Sequence, residues 1–289
     1  NRTYNATTSA TALLVKGSAA LVGKQGSDVV TLDHSNATAT FATKDIGIAK
    51  PVTILGITIS GTDANNYTLT QPSTTANITT KALTVTGITA RDRNYDATRV
   101  ATLDTSLAAF VGVIGADAVA IDATNATGLF DTAAYGTNKT ITVTGIIFSG
   151  ADSNNYSITQ PTTTASISRK TLTVTGITAN NRVYNASTDA TQLLNKDTPT
   201  LVGVEAGDVV ALSTVDAIAT FATKDIGTGK GITISGLTVS GANAGDYTLV
   251  QPSTTANITA KELTISGITA TNRTYNATTS ATALLVKGS

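Results

Sequence analysis

The chain has 289 residues, with 19 basic and 19 acidic side chains, one His (His34) and no Cys, Met or Trp. Balanced charge at only 13% of positions argues against a nucleic-acid-binding surface, and the residue types exclude disulfides, thiolate metal sites and multi-histidine centres. The 41% hydrophobic content is enough for packed cores, and its Val, Ile and Thr suit strands, yet no apolar run approaches the ~20 residues of a membrane span.

Read along the chain, repeats decide the architecture. Residue 1 falls inside a repeating pattern, without an initiator Met or a signal peptide, so a window from a longer chain is expected. Tyr4 opens a Tyr-(Asn/Asp)-Ala-(Thr/Ser) motif that returns at Tyr95, Tyr184 and Tyr275, at spacings of 91, 89 and 91 residues. The turn Gly61-Thr-Asp-Ala-Asn-Asn-Tyr67 is matched by Gly150 through Tyr156 and Gly241 through Tyr247, each followed by Gln-Pro at Pro72, Pro161 and Pro252. A Lys-x-Leu-Thr run then starts at Lys81, Lys170 and Lys261. The first and third repeats align without a gap at an offset of 180, and residues 272–289 repeat residues 1–18. Taking each domain to begin at Lys-x-Leu-Thr gives 1–80 as a repeat lacking its first strand, 81–169 and 170–260 as whole repeats, and 261–289 as opening strands of another.

Alternation of apolar and Thr positions, as in Ala37-Thr-Ala-Thr-Phe41 and at Leu83 and Val85, predicts half-buried strands of antiparallel sheets. Across Gly145 the apolar phase slips by one residue, and Gly56 and Gly236 hold the same place. A glycine bulge, or a bend where the strand changes sheet, would absorb that slip. Turn residues every 8–12 positions favour a β-sandwich of seven to nine short strands per repeat. A β-helix would show a far shorter period. The expected fold is all-β, with tandem Ig-like sandwiches set end to end.

The matching pieces Tyr95-Asp96-Ala97, Phe41-Ala-Thr-Lys-Asp-Ile-Gly47, Gly61 through Tyr67 and Gln71 through Ile78 resemble the YDG-domain family, over nearly the whole chain. The resemblance implies Ig-like domains in large, filamentous-haemagglutinin-like secreted adhesins of the bacterial cell surface, with roles in attachment and biofilm. Ala replaces the family's motif Gly at Ala6, Ala97, Ala186 and Ala277, which implies another turn or backbone strain there.

His34 sits in a polar turn and is replaced by Thr214 and Ala123 in the other copies, so no Ser-His-Asp set recurs and no enzyme is expected. Asp28, Asp117 and Asp208 recur before a strand, and with Asp63 and Asp152 they are weak candidates for calcium. Calcium wants six to eight oxygens and these acids are sparse, so the expectation is no cofactor. Tyr67, Tyr156 and Tyr247 are expected to bury their rings and bond their hydroxyls to backbone, with a sugar-stacking platform as the alternative. Two functions remain. One is a stalk or spacer segment whose partners are neighbouring repeats of the same chain or fibre. The other is a module whose loops bind surface glycans or a receptor on other cells. The expected place is extracellular, at the bacterial surface.

Overall fold

The computed structural model describes residues 1–282 and the backbone of residues 285–286. Among them there is no α-helix; strands are joined by turns and five short 3-10 segments. The chain divides into two compact units, residues 1–168 and 169–289.

In the second unit, one sheet orders Arg182–Val183, Ser253–Thr259, Gly227–Ser235 and Ile218–Phe221. A second places Lys170–Thr175 between Thr200–Val202 and Tyr247–Leu249. Val174 from the second sheet packs with Phe221, Ile232, Ile234 and Ile258 from the first, so the two sheets share one core. That arrangement is a β-sandwich. The second repeat has the same parts, with Lys81–Thr86 lying between Ala109–Val111 and Tyr156–Ile158.

Two features differ from the sequence expectation, and a third decides between its alternatives. The sheets are mixed, not purely antiparallel: Tyr156–Ile158 runs parallel to Lys81–Thr86, and Arg93–Asn94 parallel to the end of Thr162–Ser168. Alternation within a strand reports which face is buried, not the direction of its neighbour. The long intervening chain supplies the crossover that parallel pairing needs. Strands are also shorter and more numerous, with twelve from Lys81 to Ser168 and eleven from Lys170 to Thr259. The extra ones are mostly two- or three-residue pairings such as Leu103–Asp104 with Thr89–Ala90.

The glycines decide between the bulge and the sheet-switching bend in favour of the bend. Gly145 lies where the chain leaves one sheet (Gly136–Thr144) and enters another (Ile147–Ser149 paired with Ala120–Asp122), so the slip is absorbed by a sheet-switching bend. Gly56, Gly145 and Gly236 have φ of 79°, 83° and 80°. A Cβ at Gly145 would stand 2.4 Å from the Asn125 carbonyl oxygen. The bend is laced by the Gln of each Gln-Pro pair: Gln160 accepts from the Ile146 amide at 3.2 Å and donates to its carbonyl at 2.9 Å. Gln71 with Ile57 and Gln251 with Leu237 repeat this. The ladder irregularities fall elsewhere, between Gly47 and Lys50 and at the matching places 136–139 and 227–230.

The Tyr-x-Ala motif is a turn. Ala6, Ala97 and Ala186 hold φ of 59°, 60° and 62°, so the alternative of backbone strain is the one the structure takes. Asp96 Oδ1 stabilises it by accepting from the Thr98 amide and hydroxyl at 2.9 and 2.8 Å. Arg2, Arg93 and Arg182 hold the turn from behind, donating to its carbonyls and lying 5.0, 5.2 and 4.8 Å from the ring centres of Phe41, Phe130 and Phe221.

The first repeat has the four-stranded sheet of Arg2–Thr3, Ser73–Thr79, Gly47–Leu55 and Thr38–Phe41, and no three-stranded one. Residues 20–22 and 67–69, which correspond to the paired strands Thr200–Val202 and Tyr247–Leu249 of the third repeat, are in no strand. Residues 261–268 carry the Lys-x-Leu-Thr pattern and are likewise in no strand, with Leu263 87% and Ile265 83% exposed. Of the expected opening strands at 261–289, residues 283–284 and 287–289 lie outside the described residues.

Candidate functional site: the junction of the first two repeats

The polar groups of the first unit converge where residues 1–80 meet residues 81–168. The loop after Thr38–Phe41 presents Lys44, Asp45 and Ile46, and the start of the chain presents Tyr4. From the second repeat come Asp117, Asp152, Asn155 and Tyr156.

Asp117 is the hub. Its Oδ2 accepts from the hydroxyls of Tyr4 and Tyr156, each at 2.7 Å, and its Oδ1 accepts from Lys44 Nζ at 3.1 Å. Lys44 also donates to Asp152 Oδ1 at 2.5 Å and to the Tyr4 hydroxyl at 2.7 Å. Asp152 Oδ2 accepts from the Ala118 amide at 3.0 Å, which fixes that carboxylate. Alongside, Asn155 accepts from the Ile46 amide at 2.9 Å and donates to Asp45 at 3.1 Å. The rings of Tyr4 and Tyr156 meet edge-on at 5.4 Å. Beneath them Leu83, from the opening strand of the second repeat, is fully buried in one core with Phe41, Val52 and Ile78 of the first. Asp117 is largely shielded from water while Lys44 remains one-third exposed, so the bonds at Asp117 gain most from their charge.

The electrostatics follow from these contacts. Burial drives the Asp117 carboxyl up, but the hydrogen bonds from Tyr156, Tyr4 and Lys44 outweigh it and hold it below the usual carboxylate value. The Lys44 contact holds Asp152 low as well, helped by the Ala118 amide. Lys44 is raised, chiefly by Asp152 and Tyr4. Burial, joined by the Asp117 charge, pushes Tyr156 up to about 12. At neutral pH Lys44, Asp117, Asp152, Tyr4 and Tyr156 are therefore one ammonium, two carboxylates and two neutral phenols.

Each residue singled out from sequence has a place. Tyr67, Tyr156 and Tyr247 accept from the backbone amides of Gln25, Ile114 and Glu205, as expected for their hydroxyls. The rings of Tyr156 and Tyr247 are buried and that of Tyr67 is half-buried. The calcium candidates Asp28, Asp117 and Asp208 each accept from one of these tyrosines, and Asp63 accepts from the Val29 amide at 2.8 Å. The cation between Asp117 and Asp152 is the Lys44 ammonium. Among the described residues, no group of three or more His, Cys, Asp or Glu side chains could hold a metal ion. His34 gives its carbonyl to Lys16 in a turn.

Sequence reasoning missed the roles of Lys44, Asp45, Asn155 and Tyr4. One signal was available: Asp28, Asp117 and Asp208 each precede their tyrosine by 39 residues, a spacing kept although the repeats differ in length. A second lay in the loop itself, where Lys44-Asp45-Ile46 returns as Lys224-Asp225-Ile226 but becomes Ala133-Ala134-Tyr135 in the middle copy.

The model of the YDG domain matches residues 1–76, 79–165 and 168–256. The chain belongs to the YDG-domain family. It is a tandem array of three such domains, and the junction described above is a seam between two of them. No curated protein and no solved structure matches the chain. Among the described residues no helix is long and apolar enough to cross a membrane.

Proposed function

We propose that this YDG array is a structural spacer: a stalk or filament segment of a large bacterial cell-surface adhesin, acting outside the cell in attachment or biofilm matrix. The observation that carries it is the junction. Its most heavily bonded polar side chains, Asp117 and Lys44, are used to fasten one repeat to the next. A binding module would instead aim such groups at an open loop cluster. The domain division starting at Lys-x-Leu-Thr belongs to this proposal, because Lys81–Thr86 pairs only with strands of residues 81–168 while Leu83 reaches the preceding core. The chemistry of such a spacer is mechanical, and an enzymatic role is no part of it.

The longest strands have nine residues and at ~3.3 Å each span about 30 Å, which with the turns at either end makes a domain on the order of 35–40 Å long. Electron micrographs of native material should therefore show thin filaments with an axial repeat near that value or three times it. Compact particles without axial periodicity would sink the spacer and favour the glycan- or receptor-binding module, which a glycan array would then test.

A further inference from the structure

In the second and third repeats the opening and closing segments run side by side in the same direction. In the third, Lys170, Thr171 and Leu172 pair in parallel with Tyr247, Thr248 and Leu249, and the Val250 amide donates to the Leu172 carbonyl at 2.9 Å. Both segments then leave that sheet. The opening one bends at Gly176, whose φ is 83°, and joins the other sheet as Arg182–Val183. The closing one enters the same sheet as Ser253–Thr259. There they meet again, still parallel. Arg182 pairs with Ile258 and Val183 with Thr259, and the Tyr184 amide donates to the Thr259 carbonyl at 2.9 Å. The second repeat has both patches, Lys81–Leu83 with Tyr156–Ile158 and Arg93–Asn94 with Ile167–Ser168, the latter closed by the Tyr95 amide on the Ser168 carbonyl at 2.9 Å. Arg2 and Thr3 of the first repeat pair in the same way with Ile78 and Thr79.

The direction of these strands decides how tension would act. A tandem array under load is pulled, repeat by repeat, at its first residue and its last. Parallel neighbours drawn from those opposite ends slide lengthwise, so the bonds between them carry the load together and break together. Neighbours drawn apart from the same end open one bond at a time. Forced unfolding is governed by the barrier to unfolding, which is higher when several bonds must be lost at once. Interior pairs such as Ala211–Ser213 with Thr238–Ser240 lie between the patches in the chain and are reached only after the patches have sheared.

The second patch is also pinned from its other side. Arg182 lies in the patch strand, and its guanidinium donates to the carbonyls of Ser187 and Asp189 and sits 4.8 Å from the ring centre of Phe221, which is buried in the core. Arg2 on Phe41 and Arg93 on Phe130 repeat that contact. A patch strand held to the core in this way resists being lifted off sideways, which leaves sliding as the route to failure.

We propose that the second and third repeats are shear clamps, force-bearing domains whose resistance to tension along the chain resides in these two parallel patches. Arg182, with Arg93 in the preceding copy, is the positioning residue of the second patch. The proposal rests on the spacer reading for the direction of the load, and it names the residues that bear it.

Because the chain contains no cysteine, two introduced ones set the axis of pulling in the full-length protein. Handles at Arg169→Cys and Ala260→Cys load both patches of the third repeat in shear. Handles at Arg169→Cys and Gly245→Cys act at one end of the first patch and peel it open. Gly245 is exposed and a Cβ there meets no other atom, and the bond from Arg169 to the Gly245 carbonyl is lost from both pairs alike. At one loading rate in an optical trap, the unfolding force along the shear axis should be at least twice that along the peeling axis. Arg182→Ala should lower the shear force by at least a third and leave the peeling force as it was, whereas a general weakening of the fold would lower both in proportion. Equal forces along the two axes, or a weaker shear axis, overturn the proposal, and proportional losses in Arg182→Ala overturn the role given to Arg182. Periodic filaments in micrographs together with equal forces would keep the spacer and remove the clamp, while compact particles with a strong shear axis would do the reverse.

Discussion

The first and third repeats share most of their sequence in one ungapped alignment, yet they fold to different completeness. In the third, Thr200–Val202 and Tyr247–Leu249 are strands because Lys170–Thr175 lies between them. In the first, residues 20–22 and 67–69 have the same character and are not strands. A β-strand is a property of a pair, since its hydrogen bonds lie between segments distant in sequence, and removing the central member unmakes both neighbours. The six residues Lys170–Thr175 are what makes strands of their two neighbours in the third repeat.

The largest effect that tests this comparison is at the segment's apolar positions. Leu172→Ala should destabilise the second unit by about 2–5 kcal/mol in chemical denaturation, because the side chain is fully buried. The matched change Leu263→Ala, at a residue 87% exposed, should leave the dilute chain's transition where it was. Equal effects at both positions would mean that residues 261–266 are already packed.

Next comes a feature the two repeats share. Gly56→Val and Gly236→Val should each cost about 1–3 kcal/mol, since both combine positive φ with a Cβ that would meet a carbonyl oxygen at 2.6 and 2.1 Å. A neutral result in thermal melts at either site would separate the sheet-switching bend from the sequence slip that announced it.

A smaller effect separates Lys44 in the junction from its counterpart Lys224 in the third repeat. Lys44→Ala should cost the first unit about 1 kcal/mol at neutral pH, a modest figure because Lys44 is one-third exposed. Lys224→Ala should cost the dilute chain less. Asp117 and Asp152 lie below their ordinary 3.8 in the folded protein, so their stabilisation is present above that pH and lost as the pH falls through the folded values. Tyr156 moves from 10.0 to about 12, so its contribution is complete below pH 10 and is lost as the pH rises towards 12. The gap between wild type and Lys44→Ala should thus be widest between pH 5 and 9 and close at both extremes. A gap that persists at pH 2 would show that the carboxylates are not what Lys44 serves.

The smallest change expected is a gain. Ala186→Gly should stabilise the third repeat by roughly 0.5–1 kcal/mol, and Ala6→Gly the first by a similar amount, because each alanine sits at positive φ. A loss in either repeat would mean that the glycine's added freedom in the unfolded chain outweighs the strain it relieves.

Much of this was legible from residues alone. Repeat length, all-β character, the family and the bend at Gly145 all reside in local pattern, which is written where it acts. The tyrosine hydroxyls could be assigned to backbone because a buried phenol in a polar-turn context has few other partners. The recurring acids could not be assigned a partner for a related reason. An acidic residue that recurs in every copy marks a constant need for negative charge or an acceptor, and sequence does not say whether a metal, a lysine or a tyrosine answers it. Asp117 is answered by Tyr4, Lys44 and Tyr156, two of them more than seventy residues distant.

By itself, then, the sequence determined the unit: how long it is, which faces of its strands are apolar, where its turns and bends fall, and that the unit recurs. Only the tertiary structure decided which strands run parallel, which acid meets which base, and that a residue of one repeat belongs to the core of its neighbour. Periodicity and turn chemistry act over a few residues and are read from them. Strand direction, ion pairing and shared cores depend on contacts between segments far apart in the chain, and the groups that make them become neighbours only when the chain has folded.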